Sequence, residues 1–314
     1  NRGRTLTPGG GKTQWQVTIA RDHHYVPQFY LRNFAVDPEK KKVTTVAKHG
    51  PIVVWSKRSI ESLGYERDLY VSLNGGVPVS VETTINERIE TPISKSDTWA
   101  KIVSGRADAL DKTDKPILYA LIRHLEVRTP KYRQTTMELA QMAADKSGPM
   151  AFTNEEREHY AYLRAHPNEA KAMHNLMSLS AGWTKDEFAR SGLTICRSPI
   201  SIRTLSAPVM AIAAPPHPGF DLPLPGMTPF QLVLALDPKT VAILVQGDFG
   251  DGFVNTEIDE TTARGFNRHF VGHFGHFDSI THLISGREGL IEDMTWAPYD
   301  LIEDSDRRIK FRRR

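Results

Sequence analysis

Residues 230–245 have the sequence FQLVLALDPKTVAILV, in which two apolar runs flank the polar stretch DPKT. Apolar, β-branched runs that are separated by a short turn predict a β hairpin. We therefore expect paired strands at 230–236 and 241–245. The residues from about Asp259 to Ser285 have helical periodicity and stop before Gly286. A long helix is thus expected after the hairpin.

The chain before this hairpin divides into a β-rich part and a helical block. Strand character is present at 43–46 and 52–55, and helical spacing of apolar residues begins near Ser80. Further helices are predicted at 114–129, at 131–145, after the Thr153/Glu156 capping box and from Pro167, followed by strands at 193–196, 198–204 and 209–213. This order predicts an α+β fold with a β-rich N-terminal part, a central helical block, and a C-terminal β hairpin followed by a long helix.

Three segments are expected along the chain. Residues 1–20 resemble a flexible lead-in, residues 21–302 form a single α+β domain, and residues 303–314 form an acidic-to-basic C-terminal tail. The tail places six cations in residues 307–314 directly after Glu303, Asp304 and Asp306. Two interpretations stay open, a solvated and frayed end or an arm that binds phosphate.

Composition excludes several classes of protein. The 314 residues are 39% hydrophobic and 25% charged, as in ordinary globular proteins. No apolar run approaches the roughly 20 residues that span a bilayer, so no membrane partner is expected. The single cysteine, Cys196, has no disulfide partner and is expected to be a buried thiol in a reducing compartment. A cytoplasmic location is therefore predicted, whereas the oligomeric state is not.

The segment 23–34, HHYVPQFYLRNF, closely resembles the signature of a bacterial family known as domain of unknown function 4238. Later landmarks agree in order, namely Asp68-Leu69-Tyr70, the helix at 82–90, Arg128-Thr129-Pro130, the Trp183 region, the hairpin and Asn267. One departure is Arg197, which stands where relatives commonly carry an Asp. The resemblance implies no activity.

His23 and His24 precede Tyr25 and Pro27 in a way that resembles the first histidine of small His-Asn-His nucleases. In such sites a histidine activates water beside a metal-bound phosphate. The asparagine and second histidine of those sites have no matching context here. The alternative is a packed histidine that anchors a buried helix, because runs rich in aromatic residues usually serve cores.

The last helix carries two adjoining stripes. His269, His273 and His276 form one stripe, and a set of phenylalanines forms the other, comprising Phe266, Phe270, Phe274 and Phe277. We expect the phenylalanines to face the core and the histidines to lie at its border. There the histidines could bind a divalent metal such as zinc. A purely structural border is the alternative.

The spacing of Arg268, His269 and His273 also resembles the Arg-His motif of metal-independent ribonucleases, in which a histidine transfers a proton. The leading hypothesis is a nucleic-acid-directed, nuclease-like toxin or defence factor that contacts the phosphates of RNA or DNA. Its catalytic candidates are His24, Arg268 and His273. Its substrate-binding candidates are Tyr25, Gln28, Arg128, Arg133, Asn267, Arg312 and Arg313. The alternative is a non-catalytic binding module with a basic tail.

Overall fold

The computed structural model describes residues 21–74, 77–145, 153–180, 190–213, 230–245 and 252–314. The expected lead-in at 1–20 and the Trp183 region lie outside these residues. Fifteen strands are present in the described part: β1 Asp22–His24, β2 Lys42–His49, β3 Ile52–Ser59, β4 Tyr65–Arg67, β5 Val71–Asn74, β6 Val77–Ser80, β7 Gly192–Arg197, β8 Thr204–Leu205, β9 Val209–Ala213, β10 Phe230–Asp237, β11 Thr240–Val245, β12 Phe253–Glu257, β13 His282–Ile284, β14 Tyr299–Ser305 and β15 Arg308–Arg313.

The described α-helices include a central block, as expected. They are α1 Gln28–Leu31, α2 Glu82–Ile85, α3 Thr91–Ser94, α4 Asp97–Val103, α5 Lys115–Val127, α6 Pro130–Ala144, α7 Asn154–Ala165, α8 Pro167–Ser180, α9 Glu260–His276 and α10 Leu290–Trp296. A π-helical turn at Asn86–Glu90 joins α2 to α3. The Thr153/Glu156 capping box is present at the start of α7. The α+β class is therefore confirmed.

Two larger sheets carry most of the described strands. The five-stranded sheet has the order β12-β7-β11-β10-β9, with only β12 and β7 parallel. Its centre is the predicted hairpin, in which Leu232 faces Leu244 across β10 and β11. The six-stranded sheet has the order β14-β15-β3-β2-β13-β8. The hairpin prediction is thus confirmed, and both of its strands are interior strands of a sheet.

The aromatic-rich segment around α1 joins the two sheets. The Tyr30 hydroxyl lies 2.6 Å from Thr204 Oγ1 in β8 and donates to the carbonyl of Ala235 in β10 at 2.7 Å. Asn33 Nδ2 donates to the carbonyl of Leu236 at 3.0 Å. Because Tyr30 is fully buried, these bonds satisfy a hydroxyl that would otherwise be costly to bury. Much of the family-like segment therefore has a structural role.

The expected strand at 198–204 and the expected end of the last helix were wrong. Only Thr204–Leu205 forms a strand, because the amides of Ser198 and Ile202 donate instead to Lys239 and Pro238 in the hairpin turn, each at 2.7 Å. The helix ends at His276, where Phe277 has extended backbone angles. The following residues turn back so that β13 can pair with β2.

Residues 303–314 form part of the six-stranded sheet and are not a frayed tail. The acidic strand β14 pairs with the basic strand β15, and β15 pairs with β3 on its other side. Glu303 meets Lys310 at 2.5 Å, and Asp300 meets Arg314 at 2.9 Å. Cross-strand opposite charges stabilise such a pair. The abrupt change of charge in the sequence therefore corresponds to a hairpin.

Candidate functional site

Strand β1 places two adjacent histidines on opposite faces. His23 is fully buried, whereas His24 is partly exposed. Successive side chains of a strand point to opposite sides, so only one of the pair can face the core. The backbone is fixed by Gly64, whose carbonyl accepts from the amides of Tyr25 and Val26 at 2.7 and 3.0 Å. Gly64 has φ +63°, and a Cβ there would lie 2.6 Å from Val26 Cβ.

His23 anchors this strand to the residues that follow β4. Its Nδ1 accepts the backbone N–H of Tyr70 at 2.9 Å, and its ring stacks on the Tyr70 ring with centroids 5.6 Å apart. Its Nε2 lies 3.6 Å from Glu82 Oε2. The buried histidine thus holds Glu82 at the start of α2. This is the anchoring role that the sequence suggested for the motif.

The helical stretch from Glu82 to Ser94, named here the site helix, carries the acidic side of the site. Its buried residues Ile85, Ile89 and Ile93 face the core. Glu82, Asn86 and Glu90 recur every fourth residue and therefore share another face. The π-helical turn falls within this stretch, and such turns occur frequently at functional sites.

A polar pocket of about 300 Å³ lies between His24 and the site helix. It is named here the His24 pocket, and its lining comprises His24, Pro27, Gln28, Phe29, Glu82, Asn86, Glu90, Thr91 and Ser94. His24 Nε2 lies 3.3 Å from the carbonyl of Glu61. A carbonyl can only accept, so Nε2 is the donor in this contact, and in the neutral ring with this tautomer Nδ1 carries the lone pair. The pocket therefore combines one proton acceptor with two carboxylates.

Arg128 holds the floor of this pocket together. It is 1% exposed, and its Nε donates to the Tyr70 hydroxyl at 2.7 Å. Its NH1 donates to Glu90 and to His124 Nε2, and its NH2 donates to the carbonyl of His24. Neighbouring Tyr70 and Glu90 raise the pKa of Arg128 despite its burial. The sequence proposed Arg128 as a phosphate ligand, but it is buried and four of its five N–H groups bond to protein atoms, so it is a positioning residue.

Four other residues were proposed to bind substrate, and they lie in different parts of the structure. Gln28 lines the His24 pocket. Tyr25 is buried, and burial raises its pKa to about 12. Arg133 donates from NH2 to both carboxylate oxygens of Glu66 at 2.8 Å. Asn267 is buried and bonds the backbone of Arg203 and Ser201. Of these four residues, the structure brings only Gln28 to the pocket.

The last helix, α9, does not bring its proposed catalytic residues to His24. Arg268 pairs with Glu292 at 3.5 Å and lies over the Trp296 ring. His273 is buried, and its Nδ1 lies 3.4 Å from Lys131 Nζ. The partly polar border position expected for His273 is therefore wrong. Burial and the nearby Lys131 charge lower the pKa of His273 well below its usual value.

The two stripes of α9 separate largely as expected. Phe270 and Phe274 are fully buried, while His269 and His276 are exposed. Burial of His273 divides the histidine stripe. In the part of the chain that the structure describes, no group of three His, Cys, Asp or Glu side chains is arranged to hold a metal ion.

Four further residues singled out in the sequence lie on the sheets. Arg312 and Arg313 are exposed on β15. Arg197, at the position of the missing Asp, donates to Asn255 Oδ1 at 2.6 Å and pairs with Glu257 at 3.3 Å across β7 and β12. Cys196 is buried, as expected, and burial raises its pKa. Arg197 therefore has a structural role in this sheet.

Buried neutral histidines make the fold sensitive to acid. Burial, helped by Arg133 and Lys171, lowers the pKa of His174 to about 4. In the unfolded chain this histidine therefore binds a proton below about pH 6.5, whereas in the folded chain it binds a proton only below about pH 4. Stability that is present above pH 6.5 is lost as the pH falls through this window.

We expect His174→Gln to make the free energy of unfolding fall less steeply with acid. Between pH 6 and pH 5 the slope should decrease by about 1.2 kcal/mol per pH unit, because the unfolded chain carries most of one additional proton in this range, and one whole proton contributes about 1.4. Urea unfolding at several pH values measures this slope. His159→Gln, at an exposed position on α7, should leave the slope unchanged. An equal slope in wild type and His174→Gln would contradict the assignment.

Comparison with known proteins places the chain in a family without an assigned activity. The family described as Protein of unknown function (DUF4238) matches residues 22–273, which include β1, the site helix and Arg128. No curated protein and no solved structure matches the chain. Among the described helices, none has the length and apolar character that are needed to cross a bilayer.

Proposed function

This chain belongs to the family described as Protein of unknown function (DUF4238), and we propose that it is an enzyme that hydrolyses phosphodiester bonds of nucleic acid in the His24 pocket. The observation that carries the proposal is a partly exposed imidazole beside two carboxylates in one polar pocket. An accessible site with convergent polar groups is the usual form of an active site. His24 is the proposed general base.

The proposed step uses Nδ1 of His24, for which no hydrogen bond to the described residues is present. A water molecule attacks the phosphorus, its proton passes to Nδ1, and a bond forms between phosphorus and the water oxygen. The bond to the leaving nucleoside oxygen breaks, and that oxygen takes a proton from solvent. The contact of Nε2 with the carbonyl of Glu61 at 3.3 Å supports the required tautomer, because it reserves Nε2 as the donor.

Glu82 and Glu90 would repel a phosphodiester unless a cation lies between the carboxylates and the phosphate. Magnesium is commonly held by one or two carboxylates together with substrate phosphate oxygens and water. Such binding needs no cage of three protein ligands. We therefore include a divalent cation in the proposal, held by Glu82 and Glu90 when the substrate is present. Arg128 and His23 position these carboxylates from behind.

The test is a cleavage assay with purified protein on labelled single-stranded RNA, single-stranded DNA and duplex DNA, with Mg²⁺, with Mn²⁺ and with chelator. We expect cleavage of at least one substrate that requires the divalent cation. Absence of cleavage of all three substrates under every metal condition would remove the proposal. If the protein acts as a toxin or defence factor, expression of the wild type should slow host growth more than expression of His24→Ala.

The basic strand supplies a second prediction. Arg312 and Arg313 are exposed, and neither makes an ion pair with another described residue. If they contact phosphates, replacing both by glutamine should reduce the slope of log affinity against log salt by about 1.5, because each phosphate contact contributes about 0.7 to 0.9. Filter binding at a series of salt concentrations measures this slope.

The matched control for this prediction is Lys310→Gln. Lys310 already pairs with Glu303, so its replacement should change the salt slope less. Deletion of residues 307–314 is unsuitable, because it removes β15 from between β14 and β3. A salt slope that is identical in the double variant and in the wild type would mean that this strand is only solvated.

A non-catalytic binding module is the second candidate. It is supported by the burial of His23 and Tyr30 in the motif and of Arg128 beside it, because buried side chains of this kind serve packing. Under this alternative, the exposed cations of β15 would bind an acidic partner. Salt-dependent binding of nucleic acid without cleavage, unaffected by His24→Ala, would favour the module over the enzyme.

A further inference from the structure

A second cavity lies in the helical block, away from the residues of the His24 pocket. It has a volume of about 510 Å³ and lies between α6, α7 and α8, with Ser279 as a further lining residue. We name it the methionine cavity, and its lining comprises Pro130, Arg133, Gln134, Met137, Tyr160, Leu163, Pro167, Ala170, Lys171, Met173, His174, Met177 and Ser279. Its size is in the range of about 300 to 1,000 Å³ that is typical of small-molecule sites.

The walls of the methionine cavity are mainly apolar. Met137, Met173 and Met177 line it together with Leu163 and prolines. Methionine side chains are flexible and polarizable, so they adapt to apolar ligands of different shapes. Removing apolar ligand surface from water is favourable by about 25 cal/mol per Å². These walls are suited to a hydrocarbon or aromatic body.

Two buried polar atoms at the cavity have no partner among the described residues. They are His174 Nε2 and Ser279 Oγ, and both side chains belong to the lining. His174 is only 6% exposed. A buried polar group without a hydrogen bond costs about 1 to 3 kcal/mol. A ligand oxygen that accepts from both groups would offset this cost.

The charged side chains of the lining are cationic, namely Arg133 and Lys171. Arg133 is already paired with Glu66. Lys171 Nζ donates to the backbone carbonyl of Asp68 at 2.5 Å and has further protons to donate. No acidic side chain of the described residues lines the cavity. The polar groups of the lining therefore favour an anion.

We propose that the methionine cavity binds a small carboxylic acid with an apolar body. The carboxylate accepts from Lys171 Nζ, Ser279 Oγ and His174 Nε2, and the body packs against the three methionines. This site is independent of the phosphodiester chemistry proposed for the His24 pocket. A failure of one proposal leaves the other standing, because the two tests have separate readouts.

The test uses decanoate as the probe and 1-decanol as its uncharged match, with the methionine methyl groups labelled for NMR. Decanoate should bind saturably and shift the methyl signals of Met137, Met173 and Met177. The signals of Met210 and Met294, which are buried elsewhere in the core, should not move. No saturable shift, or shifts that include Met210 and Met294 equally, would overturn the site.

Lys171→Met tests the recognition of the anion, because it keeps the apolar stem and removes the charge. Its affinity for decanoate should fall about tenfold or more, whereas its affinity for 1-decanol should stay the same. Arg164→Met is the control, since Arg164 lies on α7 outside the lining. Equal affinity of wild type and Lys171→Met for decanoate would overturn the proposed class of ligand.

Discussion

Replacing Arg128 by methionine should lower the free energy of unfolding by about 3 to 5 kcal/mol, the usual cost of breaking a buried ion pair by removing one partner. The substitution keeps a long apolar stem and removes all the donors. The Tyr70 hydroxyl, Glu90 and the carbonyl of His24 would each lose a partner. Urea unfolding followed by circular dichroism measures the change.

Arg133→Met is the matched control for this prediction. Arg133 lies one turn into α6 and pairs with Glu66, but the two side chains are 34% and 35% exposed. Exposed ion pairs contribute about 0.2 to 1 kcal/mol, so this variant should remain close to the wild type. If Arg128→Met costs less than about 1 kcal/mol, Arg128 does not hold the His24 pocket together.

His24→Ala should reduce phosphodiester cleavage by about 10² to 10⁴, the usual contribution of general acid–base catalysis. The same change should cost little stability, because the His24 side chain is partly exposed and makes a single hydrogen bond to the described residues, at 3.3 Å. Cleavage rates and urea unfolding on the same preparations separate the two effects.

His23→Ala is the control for His24→Ala. His23 is fully buried, and its loss leaves the N–H of Tyr70 without its acceptor. We expect a loss of about 1 to 3 kcal/mol in stability. A His24→Ala protein that is strongly destabilised, and whose folded fraction keeps full activity, would make His24 an anchor like its neighbour.

The sequence predicts the local elements of this fold well. The capping box before α7 and the apolar face of α5 are signals contained within a few residues. The sequence missed the pairings that depend on distant segments. The strand β13 exists because it lies between β2 and β8, and β15 because it lies between β14 and β3. No local pattern predicts such neighbours. The predicted last helix was therefore longer than α9, and neither interpretation of the C-terminal residues included a strand.

The candidate site was predicted only in part. His24 is visible in the aromatic-rich motif, but its carboxylate neighbours Glu82 and Glu90 lie about 60 residues further along the chain. The signal that could have found them is the polar stripe of Glu82, Asn86 and Glu90 at every fourth position of a helix. Arg128 and Asn267 are buried by tertiary packing. No local sequence pattern shows this burial, so both were assigned to substrate binding.

The most direct test of the His24 pocket as a catalytic centre is a double-mutant cycle on the cleavage rate with His24→Ala, Glu82→Gln and the double variant. Residues that act as one catalytic unit have strongly non-additive effects. We predict that each single variant is slow and that the double variant is no slower than His24→Ala alone. Losses that multiply in the double variant, or single variants that cleave at the wild-type rate, would contradict the account.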